Sequence, residues 1–422
     1  MWEAGRTAIA RTPADAAPPP LAPAVRSRST WLLVALRTAY AYNWFDIGPA
    51  LPGIGREFSV GPGDWGLLVA SFLLGAGLLQ VPAGLLARRL GARPVALAGA
   101  GLLAVGGIAS ALAPSFAALL LSRLLAGAGA GLFFSPAIGL VGSLFPPGER
   151  GLPVGVFSSA FSGGAAAGVF ATAVAVPLVG WRMALTLGAV GLGVLTVAAT
   201  AAIPASVGAA APRPARVPPS VPVALRLRGV WAIGLAFVGL EGATFATGQF
   251  VVPFGESIHG WSAAVAGAVG TSFVLPSVVG GPFGGVIAER GSRPRLALVV
   301  ATALGAGALV AMPFAGLAAT VAIGCLFSFA YGFVYAVMYV LPHRWAGLPS
   351  EEIPLAIGLF NAIQLGGGAL VSLGFGYVVA LHSYALAWPL VAAVQVALLA
   401  ALLALPALDA AGRPPSEAAA PR

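Results

Sequence analysis

The stretch GLLARRLGARP, residues 84–94, packs three arginines (Arg88, Arg89, Arg93) into a chain in which only 8% of residues are charged. Two hundred residues on, GGVIAERGSRP (284–294) aligns with it without a gap, and Gly84, Gly91, Arg93 and Pro94 recur as Gly284, Gly291, Arg293 and Pro294. A second pair of blocks, PPGERGLPVGVFSSAFSGG (146–164) and PSEEIPLAIGLFNAIQLGG (349–367), aligns at an offset of 203. Isolated Gly and Ala matches carry little weight in so apolar a chain. Two blocks at nearly one offset mark an internal duplication.

Between the basic stretches the chain is almost wholly apolar. Hydrophobic residues make up 59% of it and mean hydropathy is +0.95, too little polar surface for a water-soluble domain. Runs of about 20 apolar residues recur, enough to cross a hydrocarbon core of roughly 30 Å. Backbone groups in lipid must be satisfied internally, which selects helices, and the alternating pattern of a membrane β-barrel is missing. The expected fold is therefore all-α, a polytopic membrane protein with twelve transmembrane helices in two pseudo-symmetric six-helix bundles. The spans are expected near 30–52, 65–87, 94–112, 115–144, 152–179, 183–203, 230–252, 262–287, 294–312, 315–341, 354–380 and 384–405. An N-terminal tail (1–29) rich in Pro, Ala and Arg reads as disordered and not as a signal peptide. The first bundle then covers 30–203, a Pro-rich linker with four arginines and no acid covers 204–229, the second bundle covers 230–405, and a short tail covers 406–422.

Net charge is +9, yet nucleic-acid binding is not implied, because the arginines sit in short loops between spans and not on one soluble face. With the N-terminus inside, eighteen of the 22 basic residues fall in cytoplasmic segments, and only Arg56 and Arg182 lie in the opposite loops. The positive-inside rule then places both termini in the cytoplasm, and the expected location is the inner (cytoplasmic) membrane. Cys325 stands alone and can form neither an internal disulfide nor a thiolate cluster. His259, His343 and His382 fall at span ends without metal-ligand spacing, so no metal site is expected. No phosphate loop, zinc motif or nucleophile elbow is present. No cofactor and no enzymatic activity are expected.

GLLARRLGARP resembles the loop motif G-x-L-A-D-R-x-G-R-R of the major facilitator superfamily, and RLLAGAGAG (123–131) resembles that family's fourth-helix motif. FPPGERG (145–151) and GWR (180–182) fit as well. The resemblance covers about residues 30–405 and implies alternating access, two bundles rocking about a central cavity. One departure concerns the gate. The acid of the family's first loop is replaced by Arg88, while acids stand on the other side of the interface as Glu351 and Glu352. A swapped polarity is expected: Arg88 or Arg89 meets Glu351 or Glu352, and Glu289 meets Arg150. Gly84, Gly91, Arg93, Glu149 and Arg290 complete this candidate cytoplasmic gate. The alternative is that these arginines only set topology.

Four charges remain inside spans: Arg37 and Asp46 in the first, Arg123 in the fourth and Glu241 in the seventh. Ionised groups at membrane depth cost at least about 2.5 kcal/mol and usually face a cavity or a partner. Glu241 lies near the midplane with Thr244, Phe245 and Gly248 on its face. Asp46 shares a face with Tyr42 and Asn43, and Gly48 and Pro49 behind it are expected to bend the helix. Arg37 points away from Asp46, with Tyr40 and Trp44, and could instead reach the headgroups. Tyr331, Tyr335 and Tyr339 recur every four residues, and Asn361 and Gln364 stand one turn apart; each set is either packing or cavity wall. Either carboxylate is a candidate proton carrier, and Arg123 a candidate for an anion or for pairing with a carboxylate. A fixed ion pair between helices is the competing reading.

The leading expectation is a monomeric, proton-coupled secondary transporter of a small solute, working in contact with membrane lipid. Two intramembrane arginines lean toward an organic or metabolite anion. Two carboxylates among aromatic residues keep efflux of cationic or amphipathic compounds open, although the fifth span lacks the Gly-Pro pair common in efflux relatives. A non-transporting sensor on the same fold is the reading from another class.

Overall fold

The computed structural model describes residues 22–146, 149–208, 223–290, 294–341 and 353–403. These are helices and short turns, with no strand among the described residues. In chain order the helices are α1 (Pro23–Phe45), α2 (Ile47–Phe58), α3 (Pro62–Leu90), α4 (Ala92–Ala111), α5 (Phe116–Ser143), α6 (Gly151–Ala202) and the single turn α7 (Val223–Arg226). They continue as α8 (Arg228–His259), α9 (Ala263–Ser272), α10 (Ser277–Arg290), α11 (Pro294–Val310), α12 (Leu317–Val340), α13 (Ile353–Leu381) and α14 (Tyr384–Leu403). Nine helical stretches among the described residues are long and apolar enough to cross a membrane.

The breaks between helices have local causes. The first rod divides at Asp46 rather than at Gly48 or Pro49, because Pro49 carries no N–H for the carbonyl four residues back, on Phe45. The long α6 holds two rods that meet at Gly180, whose φ of 79° is a conformation glycine adopts without a Cβ clash. It thus covers the fifth and sixth expected spans. The eighth is split into α9 and α10 by the turn 273–276, which ends in Pro276. Grouped across these breaks, the described helices are consistent with twelve rods.

Helices α1 to α6 pack mainly on one another, as do α8 to α14. Small residues let backbones touch where lipid gives side chains no reason to leave it. A Cβ on Gly127 of α5 would run into the Phe72 carbonyl of α3, and one on Gly75 of α3 into the Leu124 carbonyl of α5. The two halves meet along α3 with α13, α6 with α9, and α2 with α8. These seams are tightest at the end away from the 88–93 turn. There Gly66 lies with its Cβ position 2.9 Å from the Ser372 carbonyl, and Gly376 abuts the Pro62 carbonyl.

At the same end, Arg182 ties three elements together. It donates to Glu57 at the end of α2 (2.6 Å), to the carbonyl of Ala111 (2.6 Å), the last residue of α4, and to that of Ala113 (2.8 Å) just after it. Trp181 Nε1 donates to the other Glu57 oxygen at 2.8 Å. The hydrogen bonds from Arg182 hold the Glu57 carboxyl below the usual carboxylate range.

At the opposite end, Arg93 donates to the carbonyls of Ile203 (2.9 Å) and Thr200 (2.6 Å), and Arg28 to that of Ala202 (3.0 Å). Both cap the C-terminus of α6, where free carbonyls and the helix dipole favour a cation. Arg93, expected in a gate, thus has a structural post. Gly91 caps α3 with φ 95°, Gly84 lies about two turns before it, and Arg88 and Arg89 are exposed. Arg150 donates to the Phe145 carbonyl within its own half (3.0 Å), and Glu149 beside it is exposed. Glu351 and Glu352 lie outside the described residues. The helical backbone of Glu289 and Arg290 is described, but their side chains are not.

Candidate functional site: a cavity between the halves

A cavity of about 420 Å³ lies between the two halves. Its wall draws on the second half of α1 (Arg37, Tyr40, Trp44), Gln80 of α3, and the last turns of α5 (Phe134, Ile138). The start of α6 contributes Gly155 to Ser162. From the other half come Glu241 of α8, α10 from Ser277 to Pro282, Tyr331, Tyr335 and Tyr339 of α12, and Asn361 and Gln364 of α13. On α5 and α12 the wall lies in the last turns, and on α6 and α13 in the first part of the helix. The cavity therefore leads toward the end that carries the basic 88–93 turn. Toward the other end it is floored by rings. Phe245 of α8 stacks on Trp44 (5.5 Å) and Phe45 (5.4 Å), and Gln249 Nε2 donates to the Trp44 carbonyl at 2.8 Å.

Arg37 is 6% exposed and does not reach the headgroups. Its guanidinium carbon lies 4.8 Å from the Tyr40 ring centroid, 4.5 Å from Phe134, 5.6 Å from Phe157 and 4.6 Å from Phe161. Aromatic faces attract a cation and cost little desolvation in return. They supply no counter-charge. Nε and Nη1 have no hydrogen-bond partner, and the only ion pairs within 4 Å among the described residues are Arg123–Asp46 and Arg182–Glu57.

Across the cavity, Glu241 Oε2 accepts from the Tyr331 hydroxyl at 3.0 Å. Further along the stripe, Tyr335 donates to Tyr339 (2.9 Å), and Tyr339 donates to Asn361 Oδ1. Gln364 Nε2 donates to that same oxygen at 3.0 Å. The stripe therefore packs and lines the cavity at once, with Phe237 set edge-on against Tyr335 and Tyr339.

Three residues singled out from the sequence stand elsewhere. Asp46 and Arg123 pair with each other at 3.7 Å, both side chains 3% exposed, and neither lines the cavity. They lie behind its aromatic floor, with Phe72 4.5 Å from the Arg123 guanidinium. Asn43 donates to the carbonyls of Ala39 (2.8 Å) and Gly188 (3.2 Å), so it joins α1 to the second rod of α6 and has no part in the wall. Thr244, on the face of Glu241, donates to the Leu240 carbonyl of its own helix.

Sequence reasoning missed Gln80, Gln249, Ser162 and Ser277. Gln80 is a buried amide in the wall with Oε1 unpartnered, and the two serine hydroxyls meet across the halves at 2.8 Å. Each amide interrupts an apolar run, the same signal that marked Asn361. Among the described residues no group of His, Cys, Asp or Glu is placed to hold a metal.

Known proteins share this architecture. A bacterial homologue of the human lysosomal transporter Spinster, solved inward-facing and unoccupied, superposes with a TM-score of 0.71 over 91% of this chain and 95% of that one, at 16% identity. A D-xylose–proton symporter gives 0.72 over 90% and 98%, at 15% identity. In sequence, the probable nitrate/nitrite transporter NarK2 of Mycobacterium tuberculosis is 30% identical over 297 residues, 68% of this chain and 72% of its own. Multidrug resistance protein Stp of the same species is 34% identical over 137 residues, 32% of this chain and 26% of its own. With a profile of that description matching residues 33–265, and with two helical halves around a cavity, the chain belongs to the Major Facilitator Superfamily.

Proposed function

We propose that this transporter moves a small organic or metabolite anion across the inner membrane by alternating access, coupled to protons. The observation that carries the reading is Arg37: a buried cation in the cavity wall, bounded by rings, with no carboxylate of the described residues within ion-pairing distance. A permanent charge held so at membrane depth is costly, and an anionic solute would offset that cost. Glu241 supports proton coupling. It is the carboxyl among the described residues of the wall, buried and held by Tyr331, at a place where it can exchange a proton with the cavity. With both termini in the cytoplasm, the cavity is open inward and sealed outward by the floor of Trp44, Phe45 and Phe245.

Reconstituted vesicles test this. A pH gradient should drive uptake or release of a carboxylate and move protons with it. Glu241→Gln keeps an acceptor for Tyr331 and should retain solute exchange while losing the response to the gradient. Binding without flux would replace transport with sensing. The second reading, efflux of cationic or amphipathic compounds, draws on the same carboxyl and the ring-lined wall. It requires that such compounds bind despite Arg37, and that Arg37→Gln strengthens their binding.

A further inference from the structure

The anion reading leaves the solute's class open, and the wall narrows it. Four rings lie within 5.6 Å of the Arg37 guanidinium carbon, and Nε and Nη1 on its edge have no hydrogen-bond partner, so the edge is where a planar carboxylate fits the planar guanidinium. A carboxylate seated there has the rest of its body between Tyr40, Trp44 and Phe161 on one half and Tyr331 and Tyr335 on the other. Such a lining favours a flat ring that stacks. Size points the same way. At about 30 Å³ per water, a cavity of 420 Å³ has room for about fourteen. A three-oxygen inorganic anion would leave most of that ring-lined volume wet.

The same wall asks for donors. Gln80 Oε1 from α3 and Gln364 Oε1 from α13 are buried acceptors without a partner, and both residues line the cavity. Asn361 Oδ1 is already taken twice, by Tyr339 and Gln364. Unmet acceptors in a buried wall are costly, so a solute that brings an O–H or N–H to them gains over one that does not.

Resting on the anion reading, we infer that the solute is an aromatic carboxylate with a hydrogen-bond donor on the ring, its carboxylate at Arg37 and its donor at Gln80 or Gln364. The chemistry of hydroxy- and amino-benzoates meets all three demands.

The test uses the purified full chain in detergent, with thermal shift and competition as readouts, and 4-hydroxybenzoate, benzoate, cyclohexanecarboxylate and nitrate as probes. 4-Hydroxybenzoate should raise the melting temperature at concentrations where nitrate does not. Removing its hydroxyl should weaken binding about tenfold, the worth of one hydrogen bond. Saturating the benzoate ring should weaken it severalfold more. Gln80→Leu with Gln364→Leu should erase the preference for 4-hydroxybenzoate over benzoate while benzoate still binds. Arg37→Gln should abolish binding of all three carboxylates. Arg37→Lys, which keeps charge but not planarity, should weaken them at least tenfold with the unliganded melting temperature retained. Arg37-dependent nitrate binding as tight as that of 4-hydroxybenzoate, or equal binding of the three carboxylates, overturns the aromatic class and leaves the anion reading standing. Binding of tetraphenylphosphonium with no binding of any anion overturns both.

Discussion

Replacing one member of the Asp46–Arg123 pair should cost this protein more than replacing both. At 3.7 Å, two unit charges attract by about 4.5 kcal/mol at an effective dielectric of about 20. Against that stands the desolvation of two ions whose side chains are 3% exposed, several kcal/mol each. Hydrogen bonds could tip the balance, but Asp46 Oδ1 and Arg123 Nε have none. The Phe72 ring beside the guanidinium returns about 0.5–2 kcal/mol. As a unit the pair is near break-even. Asp46→Asn leaves a buried cation alone, and Arg123→Met leaves a buried carboxylate alone; each should cost about 3–5 kcal/mol. The combined Asp46→Asn/Arg123→Met variant should lie within about 1 kcal/mol of the parent, since both desolvation costs vanish with the attraction. Equilibrium unfolding in mixed micelles, arranged as a double-mutant cycle, measures this. A coupling below about 0.5 kcal/mol would mean the two charges do not sense each other, and the dry-pair argument would be wrong.

Gln249→Leu removes the 2.8 Å hydrogen bond that ties α8 to the last turn of α1. A buried bond of that kind is worth about 1 kcal/mol, so the balance should move severalfold toward forms open at the floor; thiol-labelling rates at reporters placed there in a Cys325→Ser background would show it. Gly127→Val puts a side chain against the Phe72 carbonyl, where backbones already touch, and should lower the yield of monodisperse protein in size-exclusion chromatography. Glu57→Gln should destabilise by less than about 1 kcal/mol at neutral pH, because the Arg182–Glu57 side chains are 36% and 41% exposed and solvent screens them. Since the folded carboxyl titrates below its ordinary value, its contribution is present above the unfolded pKa of about 4.3 and is lost as pH falls through the folded pKa. The gap between the melting temperatures of parent and variant should therefore begin to close as pH falls below the unfolded pKa of about 4.3 and keep closing toward more acid pH.

What could be read from the sequence divides by the distance over which each feature is decided. Helices in lipid are decided locally, so the apolar runs, the repeat of 84–94 at 284–294 and the glycine spacing of 123–131 were enough to expect the rods and their family. Breaks are nearly local: Pro49 announced a bend, and only its placement at Asp46, three residues earlier, needed coordinates. Pairing is not local. Asp46 and Arg123 were each visible as charges at membrane depth, but helical rotation alone does not say that α1 and α5 turn them toward each other behind an aromatic floor. Arg37 shows the limit most clearly. From α1 alone it has a stem long enough to reach the headgroups, and nothing in that helix forbids it. Phe134 of α5 and Phe157 and Phe161 of α6 hold it inside, and a phenylalanine in an apolar span gives no sign that it borders a cation. The two positive charges at membrane depth in the first half thus take opposite situations. Arg123 is neutralised in a dry contact behind the aromatic floor, while Arg37 stands in the cavity wall without a carboxylate partner among the described residues. That difference, and not the number of arginines, turns a basic membrane protein into a candidate carrier of anions.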